Sequence, residues 1–230
     1  MHYKQISEHI WKLNIRMVVP IGIWLVKDEH GVALIDTGIS VMSGNIMKYI
    51  KEVQGGRLQH ILITHGHPDH VGGLSAILKQ NDVPVYAHQT EIPYMEGDKI
   101  YPGKKKAKAL VQKGKLTPLP EEDGKLVRLS GLQPYVTPGH SPGHVVYYHE
   151  EDDMLLAGDL FTTQDGRLKR PYAMFTPDMD QAVKSGEIVN QLKPTYLSPC
   201  HGGEVFQPHN QYEEYVENWE KKKRKKEETK

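Results

Sequence analysis

Cysteine is almost absent from this sequence, which contains a single one, Cys200. No internal disulfide can form, and we expect a reducing, cytoplasmic environment. A structural zinc site built on cysteine thiolates is excluded for the same reason, because such sites need at least a pair of cysteines.

Long apolar stretches and an excess of either charge are missing as well. No run approaches the ~20 apolar residues of a transmembrane helix, and the first fifteen residues lack the apolar core of a signal peptide. Lysine and arginine together number 29, as do aspartate and glutamate, so the formal net charge is zero. We therefore expect a soluble protein that has neither nucleic acid nor a membrane as its partner.

The 230 residues predict one domain in which strands alternate with helices. Segments rich in β-branched and aromatic residues predict strands at 11–19, 21–28, 31–38, 58–64, 83–87, 126–129, 133–137, 144–149, 153–159 and 195–199. Apolar residues at helical spacing predict helices over 40–53, where Gly55-Gly56 follows, and over 71–80 and 179–192. A charged C-terminal helix is expected at about 210–230.

Residues 89–120 interrupt this alternation, because the segment is polar, rich in lysine and short of core residues. Two interpretations are open: a solvated helical excursion, or a lid over a functional site. The closing run KKKRKKEETK is typical of a frayed helix end, and the alternative is a contact with an anionic surface.

Polar side chains follow several predicted strands at the point where each strand ends. His65 follows ILIT, His140 follows YVT, Asp159 follows LLAG, His201 follows YLSP, and Asp36 follows ALI. Ligands collect at strand ends in layered α/β folds, because a rigid sheet there positions variable loops. These residues are therefore candidates for one common site.

The richest of these loops is HGHPDH, residues 65–70. Imidazole nitrogen and carboxylate oxygen bind zinc at about 2.0–2.2 Å. The loop offers four such groups, more than the three protein ligands of a tetrahedral ion that keeps one position open. The number of ligands therefore predicts two metals. A carboxylate such as Asp159 can bridge them, since each oxygen can bind one cation. A surface histidine-rich turn with incidental metal affinity is the alternative, which the flanking buried strand and Gly72-Gly73 argue against.

The run from His65 to His70 resembles the HxHxDH motif of the metallo-β-lactamase superfamily. Further matches follow in the order of that family: Asp36-Thr37-Gly38, His140, Gly158-Asp159 and His201-Gly202-Gly203. The resemblance covers roughly residues 10 to 205. It implies a four-layer αβ/βα sandwich, in which two mixed sheets lie face to face, helices cover the outside, and the metals bind at one edge.

The resemblance also implies roles for individual residues. The implied ligands are His65, His67 and His140 for the first metal, Asp69, His70 and His201 for the second, and Asp159 as the bridge. Asp69 is also expected to orient the attacking hydroxide or carry a proton. Asp36 is expected to hydrogen-bond a ligand histidine or its loop, and the alternative is a turn aspartate that ends its strand. His144 matches a family residue outside the metal ligands. Cys200 is expected to be a small buried residue that points away from its neighbour His201.

The implied reaction is hydrolysis of a small molecule. Two neighbouring metals lower the pKa of a bound water, which supplies hydroxide at neutral pH and attacks a polarised carbonyl. The segments TPGHSPGH and GDLF look most like the hydroxyacylglutathione hydrolase branch, which implies an ester, thioester or lactone substrate. A tyrosine of the lactone-hydrolysing branch is replaced by Thr162 here, and Tyr172 is a candidate substitute. Zinc is the expected metal, although the ligands also suit manganese or iron.

Two other activities of the same superfamily remain open. Persulfide dioxygenases resemble this pattern but use one iron, held by two histidines and the aspartate. A nuclease or phosphodiesterase is disfavoured by the balanced charge, although the lysine-rich stretch at 104–115 keeps it in view. Counting the bound metal separates the iron oxygenase from the zinc hydrolase.

Overall fold

The computed structural model describes residues 1–53 and 56–228. The chain opens with seven strands of one sheet: β1 (His2–Gln5), β2 (Ile10–Arg16), β3 (Pro20–Asp28), β4 (Gly31–Ile35), β5 (Leu58–Leu62), β6 (Val85–Ala87) and β7 (Thr117–Pro118). The strands β1 to β4 pair antiparallel, and β4 to β7 pair parallel. A short hairpin of β8 (Glu121–Glu122) and β9 (Lys125–Leu126) follows.

The second half of the chain forms a smaller mixed sheet. Its remaining strands are β10 (Leu132–Val136), β11 (Val145–His149), β12 (Met154–Leu156), the separate hairpin of β13 (Thr162–Gln164) and β14 (Arg167–Lys169), then β15 (Tyr196–Ser198) and β16 (Val205–Phe206). The order within this sheet is β10-β11-β12-β15-β16, and only β12 and β15 are parallel.

Seven α-helices accompany the sheets in the described residues: α1 (Ser43–Glu52), α2 (Pro68–Val71), α3 (Leu74–Leu78), α4 (Ile92–Met95), α5 (Met179–Ser185), α6 (Ile188–Leu192) and α7 (His209–Glu227). Short 3-10 turns lie at Ser40–Met42 and Ala173–Phe175. None of the helices in this part of the chain combines the length and apolarity needed to cross a membrane.

The two sheets pack face to face. The indole nitrogen of Trp24 on β3 donates a hydrogen bond to the Ser198 hydroxyl on β15 at 2.9 Å. The hydroxyl of Tyr147 on β11 donates to the carbonyl of Ile63, just after β5, at 3.0 Å. Because both polar groups are buried, each needs such a partner, and each contact fixes one sheet against the other. Apolar residues of both sheets share one core cluster between them.

Helices cover the outside of the smaller sheet. Val146 and Leu155, whose side chains lie on its outer face, pack with Val183 of α5 and with Tyr212 and Trp219 of α7. On the larger sheet, α1 and α3 contact each other and join its apolar core. The predicted sandwich of two mixed sheets with helices outside is therefore confirmed.

Several predicted elements differ in extent. The helix expected over 71–80 begins earlier, at Pro68, and is divided into α2 and α3 at Gly72-Gly73. The one expected over 179–192 is divided at Gly186, where an added Cβ would lie 2.9 Å from the ring of Phe161. The strand expected at 126–129 is reduced to Lys125–Leu126 and one isolated bridge. Gly55, expected to follow the first helix, and residues 229–230 lie outside the described residues.

The lysine-rich segment 89–120 is not the helical excursion that one interpretation expected. Only Ile92–Met95 is helical, and the segment continues through turns to β7, which joins the larger sheet. Tyr101, Val111 and Leu119 are buried and anchor it to the protein. Whether it acts as a lid stays a prediction.

Candidate metal centre

The structure brings the seven predicted ligands together at one edge of the sandwich. They lie just beyond strand ends: His65 and His67 after β5, His140 after β10, Asp159 after β12 and His201 after β15. Asp69 and His70 lie in α2, where Pro68 occupies the first turn of the helix and the preceding His67 is extended. Proline suits that position because its fixed φ matches the helix and its missing N–H has no partner there.

Three histidines form the first cluster. Nε2 of His140 lies 3.2 Å from Nε2 of His65 and 3.0 Å from Nδ1 of His67. Burial lowers the pKa of all three imidazoles, to about 4 for His67 and well below the ordinary value for the other two. The three rings are therefore neutral at pH 7, and they direct nitrogen lone pairs at a common point.

The second cluster consists of Asp69, His70 and His201. Nε2 of His201 lies 3.3 Å from Oδ2 of Asp69, and Nε2 of His70 lies 3.8 Å from the same oxygen. Burial alone would lower the pKa of both histidines, but the surrounding negative charges, Asp159 among them, raise it instead. The pKa of Asp69 is lowered to about 2, because the opposing effect of burial is outweighed by His70 and His201. The ionised Asp69 and Asp159 carboxylates favour a cation in this half of the site.

Asp159 lies between the two clusters. Its Oδ2 is 3.3 Å from Nε2 of His140 and 3.3 Å from Nε2 of His201, while Oδ1 is 3.4 Å from Nε2 of His70. The carboxylate is buried, and the nearby histidines hold its pKa well below the usual value although burial opposes them. One ionised group thus faces both clusters.

The donor set fits divalent metal ions. Two ligands on one tetrahedral ion at about 2.0–2.2 Å are separated by roughly 3.3–3.6 Å, close to the spacings found here. Nε2 of His70 and Oδ1 of Asp159 are buried and have no hydrogen-bond partner within the described part of the chain, which costs free energy unless a further group, such as a metal ion, binds there.

Hydrogen bonds on the far side of the rings fix which nitrogen faces the centre. Nδ1 of His201 contacts the carbonyl of Pro20 at 2.6 Å, and a carbonyl only accepts, so this nitrogen carries the proton. Nδ1 of His140 contacts the hydroxyl of Thr176 at 2.9 Å, and that hydroxyl donates to the carbonyl of Tyr172. Nδ1 of His70 donates to Asp36. In all three rings Nε2 is left as a free donor to a metal, the arrangement expected of metal-bound histidines.

Asp36 hydrogen-bonds both a predicted ligand histidine, His70, and the loop that carries the ligands, at Thr64. Oδ2 accepts from Nδ1 of His70 at 2.7 Å and from the Thr64 hydroxyl at 2.7 Å, and Oδ1 accepts from the Thr64 backbone N–H at 2.8 Å. Asp36 adopts a left-handed backbone conformation with φ 60°. Such strain is tolerated by aspartate and is concentrated at functional sites.

Two glycines allow α2 to approach the turn that carries Asp36. An added Cβ at Gly72 would lie 3.1 Å from the carbonyl of Gly38, and one at Gly73 would collide with the carbonyl of Thr37. The backbone N–H of Thr37 also donates to the carbonyl of His70 at 2.7 Å. Close packing here explains the glycine pair after the histidine loop.

His144 supports Asp159 instead of contributing a ligand. Nε2 of His144 accepts a hydrogen bond from the backbone N–H of Asp159 at 3.1 Å, and its Nδ1 lies 2.9 Å from the Thr137 hydroxyl. Burial lowers the pKa of His144 to about 3, so the ring stays neutral and can accept.

Glu91 is a site residue that sequence reasoning missed. Its buried carboxylate accepts from the backbone N–H groups of Gly66 at 3.1 Å and Gly143 at 2.7 Å, and from the Tyr101 hydroxyl at 2.7 Å. Gly66 lies between two ligands, and Gly143 lies three residues after His140. Glu91 therefore joins two ligand loops. In the sequence it is one glutamate within a polar segment, which is too weak a signal to identify it as a site residue.

Cys200 does not point away from the site as expected. It is buried, but its Sγ lies 3.9 Å from Nδ1 of His201 and belongs to a group of donor atoms that are all within 4.8 Å of one another, shared with Asp69 and His70. The strand alternation on which the expectation rested stops at Ser198, where β15 ends, so Cys200 lies in the following turn.

The other residues considered from the sequence divide into two groups. The ring centre of Tyr172 lies 5.4 Å from that of His201, beside the second cluster. The hydroxyl of Thr162 instead donates to the carbonyl of Arg170.

A sequence model of the metallo-β-lactamase superfamily matches residues 17–201, most of the chain and all seven ligands. The protein belongs to the metallo-β-lactamase superfamily. This metallo-β-lactamase-family chain is 38% identical over 220 residues to the probable metallo-hydrolase YybB of Bacillus subtilis, covering 94% of this chain and 98% of YybB. It is 32% identical over 152 residues to a hydroxyacylglutathione hydrolase of Ectopseudomonas mendocina, covering 64% of this chain and 49% of that protein.

Solved structures agree on the fold. A metallo-β-lactamase from Pontibacter korlensis superposes with a TM-score of 0.69 at 20% identity, over 92% of this chain and 95% of that one. TTHA1623 in a di-iron-bound form superposes with a TM-score of 0.64 at 28% identity, over 85% and 94% of the two chains. The fold and the family are those of metal-dependent hydrolases.

Proposed function

We propose that the protein is a dinuclear metal-dependent hydrolase that cleaves a small ester, thioester or lactone. The observation that carries this proposal is the position of Asp159, whose buried carboxylate faces a three-histidine cluster on one side and a mixed aspartate–histidine cluster on the other. A carboxylate shared in this way suits two cations a few ångströms apart. His65, His67 and His140 would hold one, and Asp69, His70 and His201 the other.

When bound, the cations supply Lewis acidity, which favours ionisation of an attacking water at neutral pH and polarises the carbonyl under attack. Asp69 is the proton carrier that the chain offers. Its side chain is 29% exposed, the largest exposure among the three site carboxylates Asp36, Asp69 and Asp159. With a pKa lowered to about 2 it is ionised at pH 7, so it can accept a hydrogen bond from the attacking water, orient it, and pass the proton on to the more basic leaving group.

A small organic substrate suits the entrance of the site. Met174 and Phe175 border the entrance with exposed apolar surface, which favours an apolar acyl group over a polyanion. Similarity to a hydroxyacylglutathione hydrolase supports an ester or thioester carbonyl. We propose zinc as the metal. Iron is the first alternative, since TTHA1623 binds two irons.

The first test measures metal content in protein purified without added metal, together with hydrolysis of lactones, thioesters, esters and phosphodiesters. Close to two zinc ions per chain with turnover of a carbonyl substrate is the expected result. Asp159→Asn should lose at least one metal and nearly all activity, whereas Asp82→Asn at an exposed position should lose neither.

Two results would overturn this proposal. A single iron per chain, with oxygen consumption on persulfides and no hydrolysis, would favour the dioxygenase. Turnover confined to phosphodiesters, with a steep dependence on salt concentration, would favour the nuclease branch.

A further inference from the structure

The entrance of the metal centre is apolar except for one cation. Besides His67 and His140, it is lined by Tyr101, Pro102, Gly103, Lys104, Ala173, Met174, Phe175 and Pro177. No carboxylate belongs to this lining. Among the described residues, Lys104 is therefore the one lysine, arginine or carboxylate side chain in a lining otherwise made of aromatic, aliphatic and imidazole groups.

The ammonium group of Lys104 is directed toward the site. Nζ lies 5.9 Å from the ring centre of Phe175, across the entrance from its own segment. Its positive charge acts on the first cluster. Burial lowers the pKa of His67, and electrostatic repulsion by Lys104 lowers it further. Among the described residues no carboxylate forms an ion pair with Lys104. The cation faces the entrance with its hydrogen-bonding capacity free.

The position of Lys104 is held by the buried part of its own segment. The backbone N–H of Lys104 donates to the carbonyl of Tyr101 at 3.0 Å, and the Tyr101 hydroxyl donates to buried Glu91. Lys105 and Lys106 follow in sequence and are exposed, but neither lines the entrance. The chain thus offers chemically identical neighbours that differ from Lys104 only in position.

We propose that Lys104 binds a carboxylate on the substrate, so that the protein acts on acyl compounds that combine an apolar chain with a negative charge remote from the carbonyl under attack. This inference rests on the proposed hydrolase function. An ammonium group beside an aromatic ring and away from competing carboxylates is a suitable partner for such a group. The apolar lining would accept the chain between the charge and the reacting carbonyl.

Binding tests the assignment without relying on turnover. Zinc-loaded protein is titrated calorimetrically with straight-chain monocarboxylates and with α,ω-dicarboxylates of four to eight carbons, and its zinc content is measured again afterwards. One carboxylate of each compound can occupy the metal centre, and only the dicarboxylates can also reach Lys104. The best dicarboxylate should bind about two- to fivefold tighter than the monocarboxylate of the same length, the range of a partly exposed ion pair.

Variants decide whether Lys104 causes that preference. Lys104→Met should abolish it, while Lys105→Met should retain it, and added salt should weaken it in the wild-type protein. Equal affinity for the two series in the wild-type protein, or an undiminished preference in Lys104→Met, would overturn the assignment. Both variants alter exposed side chains, so unchanged thermal unfolding serves as the check on folding.

Kinetics separates this inference from the proposed function. Mono-4-nitrophenyl adipate and 4-nitrophenyl hexanoate share a six-carbon acyl chain and differ in the terminal carboxylate. The wild-type protein should favour the adipate in kcat/KM, and Lys104→Met should lose that advantage while still cleaving the hexanoate. Failure to cleave any carbonyl substrate, with the dicarboxylate preference intact, would reject the hydrolase and leave the anion site standing.

Discussion

Oδ2 of Asp36 and Nδ1 of His70 lie 2.7 Å apart, and both side chains are completely buried. This contact orients the imidazole and leaves Nε2 directed at the second cluster. Partners of this kind also increase the basicity of the ligating nitrogen, and their loss typically lowers metal affinity by about 10- to 100-fold.

We therefore expect Asp36→Asn to weaken binding of the second metal about 10- to 100-fold while binding at the three-histidine cluster changes little. Competition with a chromogenic chelator measures both affinities. Asp82→Asn, at an exposed position, is the matched control. Equal loss from both clusters would mean that Asp36 acts on the fold of the site as a whole.

Glu91 provides a test of how the ligand loops are held. Glu91→Gln replaces one carboxylate oxygen by an NH₂ group, which cannot accept from Gly66 or Gly143. Leaving a buried N–H without its partner should cost about 1–3 kcal/mol in the free energy of unfolding, measured with urea. Glu96→Gln alters a partly exposed glutamate that accepts one backbone N–H in a solvent-exposed hydrogen bond, and should cost less than about 0.5 kcal/mol. Equal costs at the two positions would contradict the role assigned to Glu91.

The two clusters should differ in the protons they release on metal binding. In the first, burial holds the pKa of His65, His67 and His140 below the usual value, so at pH 7 they are already neutral. In the second, burial alone would lower the pKa of His70 and His201, but the surrounding negative charges raise it above the usual value.

Metal binding at the first cluster should therefore release almost no protons, and binding at the second should release more. Calorimetry in buffers of different ionisation enthalpy counts them. As pH falls from 8 to 6, affinity should decline at the second cluster and stay nearly constant at the first. Equal proton release from the two clusters would contradict this prediction.

A contact remote from the metal centre predicts a pH-dependent contribution to stability. The imidazole of His9 lies 2.6 Å from the carboxylate of Asp152, which also accepts from the hydroxyl of Ser7. The hydrogen bond to Asp152 raises the pKa of His9 in the folded protein. Its stabilisation is complete below the unfolded pKa of about 6.5 and is lost as pH rises through the raised folded value.

At the acid end, the pKa of Asp152 is lowered: burial opposes the shift, but hydrogen bonds from Ser7 and His9 prevail. The contribution therefore also falls as pH drops through that lowered value. His9→Gln should destabilise the protein by about 0.5–1 kcal/mol at pH 5.5–6 and by less above pH 8. Urea unfolding at both pH values measures the difference. His30→Gln, at an exposed histidine, is the control variant.

Much of the candidate site could be anticipated because its donors follow strand ends. His65, His140, Asp159 and His201 each come shortly after an apolar run. The parallel pairing of β4 with β5 aligns the strand ends before Asp36 and His65, and that of β12 with β15 aligns those before Asp159 and His201. The candidate ligands between residues 65 and 70 are also close in sequence, so they could be recognised without knowledge of any long-range contact.

Helix boundaries were harder, since tertiary contacts set them. Gly72-Gly73 divides a continuous helical pattern because the backbone there lies against the turn of residues 36–38, and Gly186 does the same beneath Phe161. The short hairpin of β13 and β14 was missed, because strands of three residues carry too little alternation to detect.

Residue types and their order along the chain determined the family, the sandwich of two sheets and the list of metal-binding candidates, since these depend on apolar periodicity and on a local motif. Only the tertiary structure decided which nitrogen of each ring faces the centre, that Glu91 joins two ligand loops, that Cys200 lies beside the second cluster, and that Lys104 reaches the entrance. Those outcomes depend on hydrogen bonds and close contacts between segments that lie tens to hundreds of residues apart. One such contact joins His201 to the backbone carbonyl of Pro20. No local sequence pattern encodes contacts of this kind.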